Sequence, residues 1–308
     1  MVERVEIDDA VASRSASTSC RLCGHGSSEA FTALPLVGEH EFVYRQCRSC
    51  GLAQLAATPS MEELRTLYAT QYQPVCGEFV TGRRSLLSRL REVNFDLVAR
   101  RIEARVPKGR LLEVGCGSGV FLVAMRRRGW AVAGLEPHRT SAHDLRTHHG
   151  LDVRAGMLED APIEWGPFDA VALLDVIEHL VDPAAALAKV RALLRPGGVL
   201  ILATPNVASL EHRLFGRRWF ALQPPDHLWL FSPDSLRRTV TMAGFDQLSL
   251  AASPVAYAWP SLCRYFRSRP PSGAFHAAMK ALTAGPMGLV GMLQSAPANL
   301  ELYARRAP

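Results

Sequence analysis

The segment Leu111–Leu122, LLEVGCGSGVFL, determines the fold prediction for this chain of 308 residues. A short apolar run over residues 110–114 predicts a buried strand, and residues 120–128 have the apolar spacing of a helix. Between them lies a glycine-rich loop with the spacing G-x-G-x-G, preceded by the acid Glu113. This spacing differs from the G-x-G-x-x-G that seats a pyrophosphate and from the G-x-x-x-x-G-K-[ST] of a P-loop. The segment therefore predicts a strand, a tight ligand-binding loop and a helix.

The alternation of strand and helix continues on the C-terminal side of this segment. Apolar runs predict further strands at residues 131–135, 151–154, 168–174, 199–203 and 245–250, with helical segments between most of them. Strands that alternate with helices at this spacing form right-handed crossovers in a parallel sheet. Ligands of such sheets bind beyond the carboxyl ends of the strands. The predicted fold class is therefore α/β, with the glycine loop at the ligand-binding edge.

Glu136 is placed to contact a ligand at that edge. It ends the second predicted strand, 17 residues after Gly119. A carboxylate in this position can accept two hydrogen bonds from the 2′,3′-diol of a ribose. The alternative is a solvated acid at a strand end. With the glycine loop upstream, we predict that Glu136 binds a ribose.

Four motifs occur in the order typical of one enzyme family. They are LLEVGCGSGVFL at 111–122, GLEP at 134–137, FDAVALLDVIEHL at 168–180 and LRPGGVLIL at 194–202. Over about residues 85–308 the chain resembles the class I S-adenosylmethionine-dependent methyltransferases. The resemblance implies a Rossmann-like sheet of seven strands, six parallel and the last, at 299–305, antiparallel. It also implies methyl transfer with S-adenosyl-L-methionine as the cofactor.

The resemblance further implies which residues bind the methionine and ribose parts of that cofactor. The loop from Glu113 to Gly119, with Gly115 and Gly117 at its centre, is expected to hold the methionine part. Glu136 is expected to bind the ribose.

The sulfonium and adenine ends of the cofactor are assigned on the same basis. Asp175 is expected to lie beside the methionine and sulfonium end. Members of the family often carry an acid after the third strand to contact the adenine amine, and this chain has Met157 in that place. The adenine is therefore expected to pack on apolar groups and to contact the Leu158 backbone amide.

The cysteines predict a metal site near the N-terminus. Of seven cysteines, four form two C-x-x-C-G sequences with 23 residues between the pairs. A C-x-x-C turn directs two thiolates at one centre, and four thiolates make a closed tetrahedral zinc site. Disulfides are the alternative, but a cytoplasmic chain keeps its thiols reduced. We predict a zinc ribbon whose structural Zn²⁺ is bound by Cys20, Cys23, Cys47 and Cys50.

The ribbon and a later loop are similar to parts of the nucleotide-sugar C-methyltransferases. The sequence CRSCGLAQL at 47–55 is similar to the start of those enzymes, in which a zinc-binding segment precedes the methyltransferase domain. An acid–histidine pair after the fifth strand serves there as the base, and Asp226-His227 stands at the matching place. Those enzymes carry a further C-terminal domain, whereas this sequence ends at the seventh strand. The expected acceptors therefore extend to sugars, polysaccharide precursors and natural products.

A hydroxyl or carbon-acid acceptor must lose a proton to receive a methyl group. Histidine is suited to take that proton near neutral pH. We predict that His227 is the base, oriented by Asp226, and that His179 is the second candidate. The alternative is that His227 only forms hydrogen bonds to substrate or protein.

The predicted organisation has four parts. These are a disordered tail at 1–19, the zinc ribbon at 20–60, a helical linker at 61–110 and the methyltransferase domain at 111–308. Two insertions of that domain, at about 205–231 and 254–296, are rich in aromatic and basic residues and are the expected substrate lid. The second insertion has a membrane contact or a subunit contact as alternatives.

Composition and charge narrow the class of function. The N-terminus has no apolar segment of the signal-peptide type, so we expect a cytoplasmic protein without a transmembrane segment. A net charge of +6 can attract an anionic partner. We predict transfer of a methyl group to an O, C or N atom of a small, anionic molecule. The alternatives are a ribosomal or transfer RNA methyltransferase and a catalytically silent adenosylmethionine-binding protein. Nucleic acid is not the expected partner, because no aromatic-basic stacking platform is evident.

Overall fold

The computed structural model describes residues 19–33, 42–60, 62–63, 65, 86–253, 261 and 296–307, with 86–93 described by their backbone alone. The predicted tail apart from Ser19, the part of the predicted linker at 66–85 and nearly all of the insertion 254–296 lie outside the described residues. The described part contains two β-sheets, and their packing positions the candidate site.

The smaller sheet is built mainly from the cysteine-rich segment. Its first three strands are β1 (Ser28–Ala33), β2 (Phe42–Cys47) and β3 (Ala53–Leu55), which pair antiparallel in chain order. The two C-x-x-C turns precede β1 and follow β2, so the antiparallel pairing brings them to the same end of the sheet.

The larger sheet has seven strands. In chain order they are β4 (Arg110–Val114), β5 (Ala131–Glu136), β6 (Asp152–Ala155), β7 (Phe168–Leu174), β8 (Leu194–Pro205), β10 (Phe245–Ala252) and β11 (Asn299–Arg306), with β9 (Trp229–Leu230) belonging to the smaller sheet. The spatial order is β10-β11-β8-β7-β4-β5-β6. Strands β4 to β8 pair in parallel, and β11 is antiparallel to both β8 and β10. The predicted α/β fold, with six parallel strands and an antiparallel last strand, is confirmed.

Helices connect these strands. They are α1 (Leu86–Glu103), α2 (Val120–Arg127), α3 (Arg139–His149), α4 (Pro183–Leu193), α5 (Leu210–Phe215) and α6 (Pro233–Met242). Local signals set several of their ends: Asp182 accepts two backbone N–H groups at the start of α4, and Ser232 forms a capping box with Ser235 at the start of α6. Among the helices that the structure describes, none is long and apolar enough to cross a membrane.

The fifth strand of the large sheet is longer than its sequence predicts. Pro196-Gly197-Gly198 indicates a turn, and the apolar run predicts a strand over 199–203 only. Instead, β8 runs through this sequence, with a register shift against β7 between Phe168 and Ala170. The irregular pairing accommodates Pro196 and the two glycines within the strand, because at a bulge some backbone groups do not form the hydrogen bonds of the ladder.

The two faces of the large sheet carry separate hydrophobic clusters. One contains Phe121 and Leu145 from α2 and α3, together with Ile102 from α1. The other contains α4 and α6 and continues into the smaller sheet, so Tyr44 and Trp219 belong to the same buried cluster. The cysteine-rich sheet is therefore packed against the large sheet through shared apolar side chains.

Strand β9 joins the smaller sheet to the segment after β8. Leu230 pairs with Ala53 and Trp229 pairs with Gln54, both in antiparallel register. The fourth strand of the cysteine-rich sheet is thus supplied by the predicted lid segment 205–231. This pairing brings the ribbon beside the loop that carries His227.

Candidate functional site

A cavity opens at the carboxyl ends of β4, β5 and β7, where ligands of parallel sheets bind. It contains about 900 Å³ of space, part of it open to solvent. The lining includes six residues that the sequence singled out: Gly115, Glu136, Met157, Leu158, Asp175 and His179. The fold therefore brings residues from four separate segments of the chain around one space.

The glycine loop borders this cavity at Gly115 and requires glycine for geometric reasons. Gly115 and Gly119 have left-handed backbones, with φ of 67° and 70°. A Cβ atom on Gly115 would lie 2.7 Å from Val176 Cγ2, and one on Gly119 would lie 2.7 Å from Leu145 Cδ2. The loop is therefore packed tightly against its neighbours. Gly119 also precedes α2 directly, as its N-cap residue.

The glycine loop allows a comparison of two substitutions. Alanine at Gly115 or Gly117 is strained by about 1–2 kcal/mol, because φ is positive at both positions. At Gly115 the added Cβ also overlaps Val176, whereas at Gly117 no atom lies within 4 Å of it. We therefore expect Gly115→Ala to lower the free energy of unfolding by about 1–3 kcal/mol more than Gly117→Ala. Urea denaturation of both variants measures the difference, and equal losses would contradict the packing described here.

Glu136 is held rigidly at the end of β5. It is 2% exposed, and its Oε2 accepts the Gly117 amide at 2.8 Å while its Oε1 accepts the His138 amide at 2.9 Å. Burial raises the pKa of its carboxyl, and these two backbone bonds oppose the rise. Each carboxylate oxygen has a second lone pair with which to accept a hydrogen bond from a ligand.

Glu113 lies at the end of β4 and is buried, with 5% of its surface exposed. Burial, followed by the charge of Glu136, raises the pKa of its carboxyl well above the ordinary value. The described cavity lining does not include Glu113, Gly117 or Gly119. The assignment of these three residues to cofactor binding stays a prediction. Gly117 acts on the cavity indirectly, because its amide holds the Glu136 carboxylate in place.

Asp175 follows β7 and faces the cavity with a left-handed backbone, φ 54°. Its Oδ1 accepts a hydrogen bond from Asn299 Nδ2 at 3.0 Å. Desolvation by the surrounding protein raises the pKa of the Asp175 carboxyl, and the hydrogen bond from Asn299 opposes this rise. Asn299 was not singled out from the sequence, because it reaches the site only through the pairing of β11 with β8.

His179 and His227 lie in contact, with ring centroids 4.6 Å apart and an interplanar angle of 88°. His179 Nδ1 is 2.8 Å from the Asp226 carbonyl oxygen, and His227 Nδ1 is 2.8 Å from the Ala221 carbonyl oxygen. A carbonyl oxygen only accepts, so in the neutral rings each Nδ1 carries the proton and each Nε2 has a free lone pair. Burial lowers the pKa of both imidazoles, and His179 lowers that of His227 further. Both rings are therefore neutral at pH 7 and able to accept a proton.

The two histidines differ in their access to the cavity. His179 lines it, whereas His227 is 5% exposed, lies against His179 and is absent from the described lining. Of the two candidate bases, His179 is therefore the one that faces the described cavity. Asp226 contacts His179 through its backbone carbonyl. The orientation of His227 by the Asp226 carboxylate stays a prediction.

Two acids near the cavity were missed in the sequence. Glu178 is fully buried, accepts a hydrogen bond from Thr204 Oγ1 at 3.0 Å and has a pKa raised well above its usual value by burial and by Asp175. Glu159 lines the cavity together with Met157. The sequence does contain a signal for Glu159: an acid follows the third strand after all, two residues beyond the expected place.

The four predicted zinc ligands lie together. Their sulfur atoms are all within 4.8 Å of one another, with Cys20 Sγ 3.6 Å from Cys50 Sγ and Cys23 Sγ 3.5 Å from Cys47 Sγ. A tetrahedral site with Zn–S bonds of about 2.3 Å has sulfur–sulfur edges of about 3.8 Å. Burial opposes ionisation of Cys23, but the His25 amide and neighbouring thiols lower its pKa to about 7. The donor set fits a tetrahedral Zn²⁺ ion.

Comparison with known proteins supports the fold and the family. Residues 86–250, more than half of the chain, match the family model described as "Methyltransferase domain". Two solved structures share the fold. A SAM-dependent methyltransferase from Thermotoga maritima has a TM-score of 0.50 and 19% identity, with 72% of this chain and 91% of that one covered. The [4+2]-cyclase SpnF has a TM-score of 0.52 and 18% identity, with 81% and 97% covered.

Curated relatives match the central part of the chain. A ubiquinone biosynthesis O-methyltransferase of Cereibacter sphaeroides is 32% identical over 164 residues, which are 49% of this chain and 66% of the relative. The protein of the same name from Xanthomonas campestris pv. campestris is 37% identical over 131 residues, 41% of this chain and 54% of the relative. The chain thus spans between half and two thirds of the length of these relatives.

Proposed function

Because the chain belongs to the methyltransferase-domain family, we propose that it is an S-adenosylmethionine-dependent methyltransferase that acts on a small molecule. The observation that carries this proposal is the cavity lining. It includes the carboxylates of Glu136, Glu159 and Asp175 and, among the described residues, no lysine or arginine. Adenosylmethionine supplies an activated methyl group on a positively charged sulfonium. An acidic lining stabilises such a cation.

The chain's own groups suit the parts of this cofactor. Glu136 has lone pairs available for the ribose hydroxyls, and its position is fixed by two backbone bonds. Met157 and Leu158 provide apolar contacts for the adenine, and we assign the adenine amine to Glu159, which lines the cavity beside them. Asp175 lies on the opposite wall, at the end of β7, where the sulfonium end is expected.

We propose that the acceptor atom is oxygen, because the curated relatives are named O-methyltransferases. His179 is the proposed base: it lines the cavity, its Nε2 is free to take a proton, and burial keeps the ring neutral. His227 is the second candidate. The proposed acceptors are sugars, polysaccharide precursors or natural products. The described cavity lining is acidic, so it gives no support to the prediction that the acceptor is anionic.

Zinc and a cytoplasmic location are part of the same proposal. Four cysteine sulfurs at tetrahedral spacing leave no position open for water, so the metal is structural rather than catalytic. A reducing cytoplasm keeps these thiols available to the metal.

Binding of adenosylmethionine tests the cofactor assignment. We expect Glu136→Ala to weaken it by about 1.5–3 kcal/mol, because a charged acceptor of ribose hydrogen bonds is lost. This corresponds to roughly 10- to 150-fold in the dissociation constant measured by titration calorimetry. Glu164→Ala removes an exposed acid outside the cavity lining and serves as the control. Unchanged affinity in Glu136→Ala would refute the ribose role, and a wild-type protein that does not bind adenosylmethionine would refute the proposed function.

A further inference from the structure

The turn Leu222–His227 lies between the ribbon and the cavity and forms hydrogen bonds on both sides. It contains a cis peptide bond between Pro224 and Pro225, and the amides of Asp226 and His227 both donate to the Gln223 carbonyl. On one side the turn contacts Tyr44 of β2. On the other it contacts the short helix Ile177–His179, which borders the cavity.

Tyr44 makes the contact from the ribbon side. Its side chain is fully buried, and its hydroxyl oxygen lies 3.0 Å from the Leu222 carbonyl oxygen and 2.5 Å from the His227 carbonyl oxygen. One hydroxyl group therefore links the two ends of the turn. Burial, followed by the charge of Asp226, raises the pKa of Tyr44 well above its usual value, so the hydroxyl keeps its proton and remains a donor at neutral pH. Phe31 of β1 stacks on the same ring at 5.5 Å and fixes its plane.

Backbone hydrogen bonds of Leu228, the residue after His227, continue this link. The Leu55 amide of β3 donates to the Leu228 carbonyl at 2.8 Å, and the Leu228 amide donates to the Glu178 carbonyl at 2.8 Å. Leu228 thus connects the ribbon directly to the short helix that carries His179.

The cysteine cluster is part of the same arrangement. Tyr44 lies three residues before Cys47 on β2, and the Cys50 carbonyl oxygen accepts a hydrogen bond from Ser232 Oγ at 3.4 Å. Gly51 approaches Ser232 so closely that a Cβ atom there would lie 2.8 Å from its hydroxyl oxygen. The C-x-x-C turn is therefore packed against the segment that follows His227.

We propose that Tyr44 is a positioning residue through which the four-cysteine site holds His227, and with it His179, in place for methyl transfer. The ribbon is in this sense a component of the active site, although none of its residues lines the described cavity. The inference rests on the proposed function, because it assigns a catalytic role to the histidine pair.

The test compares two tyrosine-to-phenylalanine variants of the full chain. Tyr44→Phe removes the bridging hydroxyl, and Tyr303→Phe is the control, since Tyr303 is equally buried and its hydroxyl bonds to Glu301 within the large sheet. In the zinc-loaded protein with adenosylmethionine bound, we expect Tyr44→Phe to shift the imidazole nitrogen signals of His227 and His179 in NMR spectra. Amides 226–228 are expected to exchange faster with solvent. Tyr303→Phe leaves these signals in place.

Kinetics separate positioning from a general loss of structure. We expect Tyr44→Phe to lower kcat by about 10- to 100-fold, the range for a misplaced catalytic group, with KM for adenosylmethionine nearly unchanged. Histidine signals and kcat that match those of Tyr303→Phe would overturn the proposal.

A second measurement covers a Tyr44→Phe variant that fails to fold. Chelation of zinc from the wild-type protein is expected to shift or broaden the same imidazole signals while adenosylmethionine still binds. Unmoved signals in the metal-free protein overturn the role of the ribbon. This outcome is distinct from failure of the proposed function, in which the wild-type protein neither binds adenosylmethionine nor transfers its methyl group.

Discussion

Cys50→Ser is expected to remove bound zinc and to unfold the ribbon. Cys50 is buried, and its sulfur lies 3.6 Å from that of Cys20. Structural zinc sites in isolated finger peptides supply about 10–16 kcal/mol of apparent binding free energy at pH 7. This is comparable to the whole stability of a typical domain, about 5–15 kcal/mol. The ribbon sheet has three short strands of its own, so without the metal it cannot offset the entropy of ordering its chain.

The loss of stability in Cys50→Ser extends beyond the ribbon, because the two sheets share a hydrophobic cluster. Tyr44 and Leu55 pack in the same cluster as Trp219 and Phe231. We therefore expect a lower thermal midpoint for the whole chain together with a zinc content below one ion per chain by elemental analysis. Cys116→Ser is the matched control, since Cys116 is also buried but lies outside the four-cysteine cluster. Full zinc content in Cys50→Ser, or none in the wild-type protein, would contradict the assignment.

His179→Ala is expected to lower the rate of methyl transfer by about 10²- to 10⁴-fold, the usual contribution of a general base. The ring lines the cavity and has its Nε2 free, because Nδ1 is bonded to the Asp226 carbonyl. His212→Ala is the matched control. His212 is also a histidine whose pKa is lowered by burial and whose Nδ1 lies 2.7 Å from a backbone carbonyl, that of Val207, but it does not line the described cavity. Equal rates in the two variants would exclude His179 as the base.

The pH profile gives an independent check on the same residue. The neutral imidazole is the active form, and burial lowers the pKa of His179 below its ordinary value of about 6.5. The rate should therefore be retained as pH falls from 8 to about 6.5 and should decline only below that range, as the ring becomes protonated. Measurement of kcat/KM against pH in His179→Ala should show that this acid limb has disappeared.

Local sequence patterns were sufficient to predict the strands of the large sheet and the edge at which its ligands bind. The predicted bounds of β4 and β7 agree with the structure, because each is a short, mostly apolar segment limited by polar or turn residues. The glycine loop and Glu136 also follow from short-range sequence, since a strand, a tight turn and a helix must be adjacent in the chain. These features position Gly115 and Glu136 at the cavity.

The rest of the candidate site depends on contacts between distant segments, which sequence periodicity does not reveal. Asn299 reaches Asp175 through strand pairing across 124 residues, and Tyr44 reaches His227 across 183. Trp229–Leu230 is too short a strand to predict, and it exists because β3 offers an edge for it. Which of His179 and His227 lines the described cavity depends on the same packing between distant segments.

Methyl transfer to a small molecule is tested most directly with adenosylmethionine labelled in its methyl group. The purified protein is incubated with it and a fractionated extract of the source organism, with and without RNase, and His179→Ala serves as the inactive reference. We expect label in a small, RNase-resistant fraction and no such label with His179→Ala. Label in large material that disappears with RNase, or no transfer by a protein that binds adenosylmethionine, would contradict it.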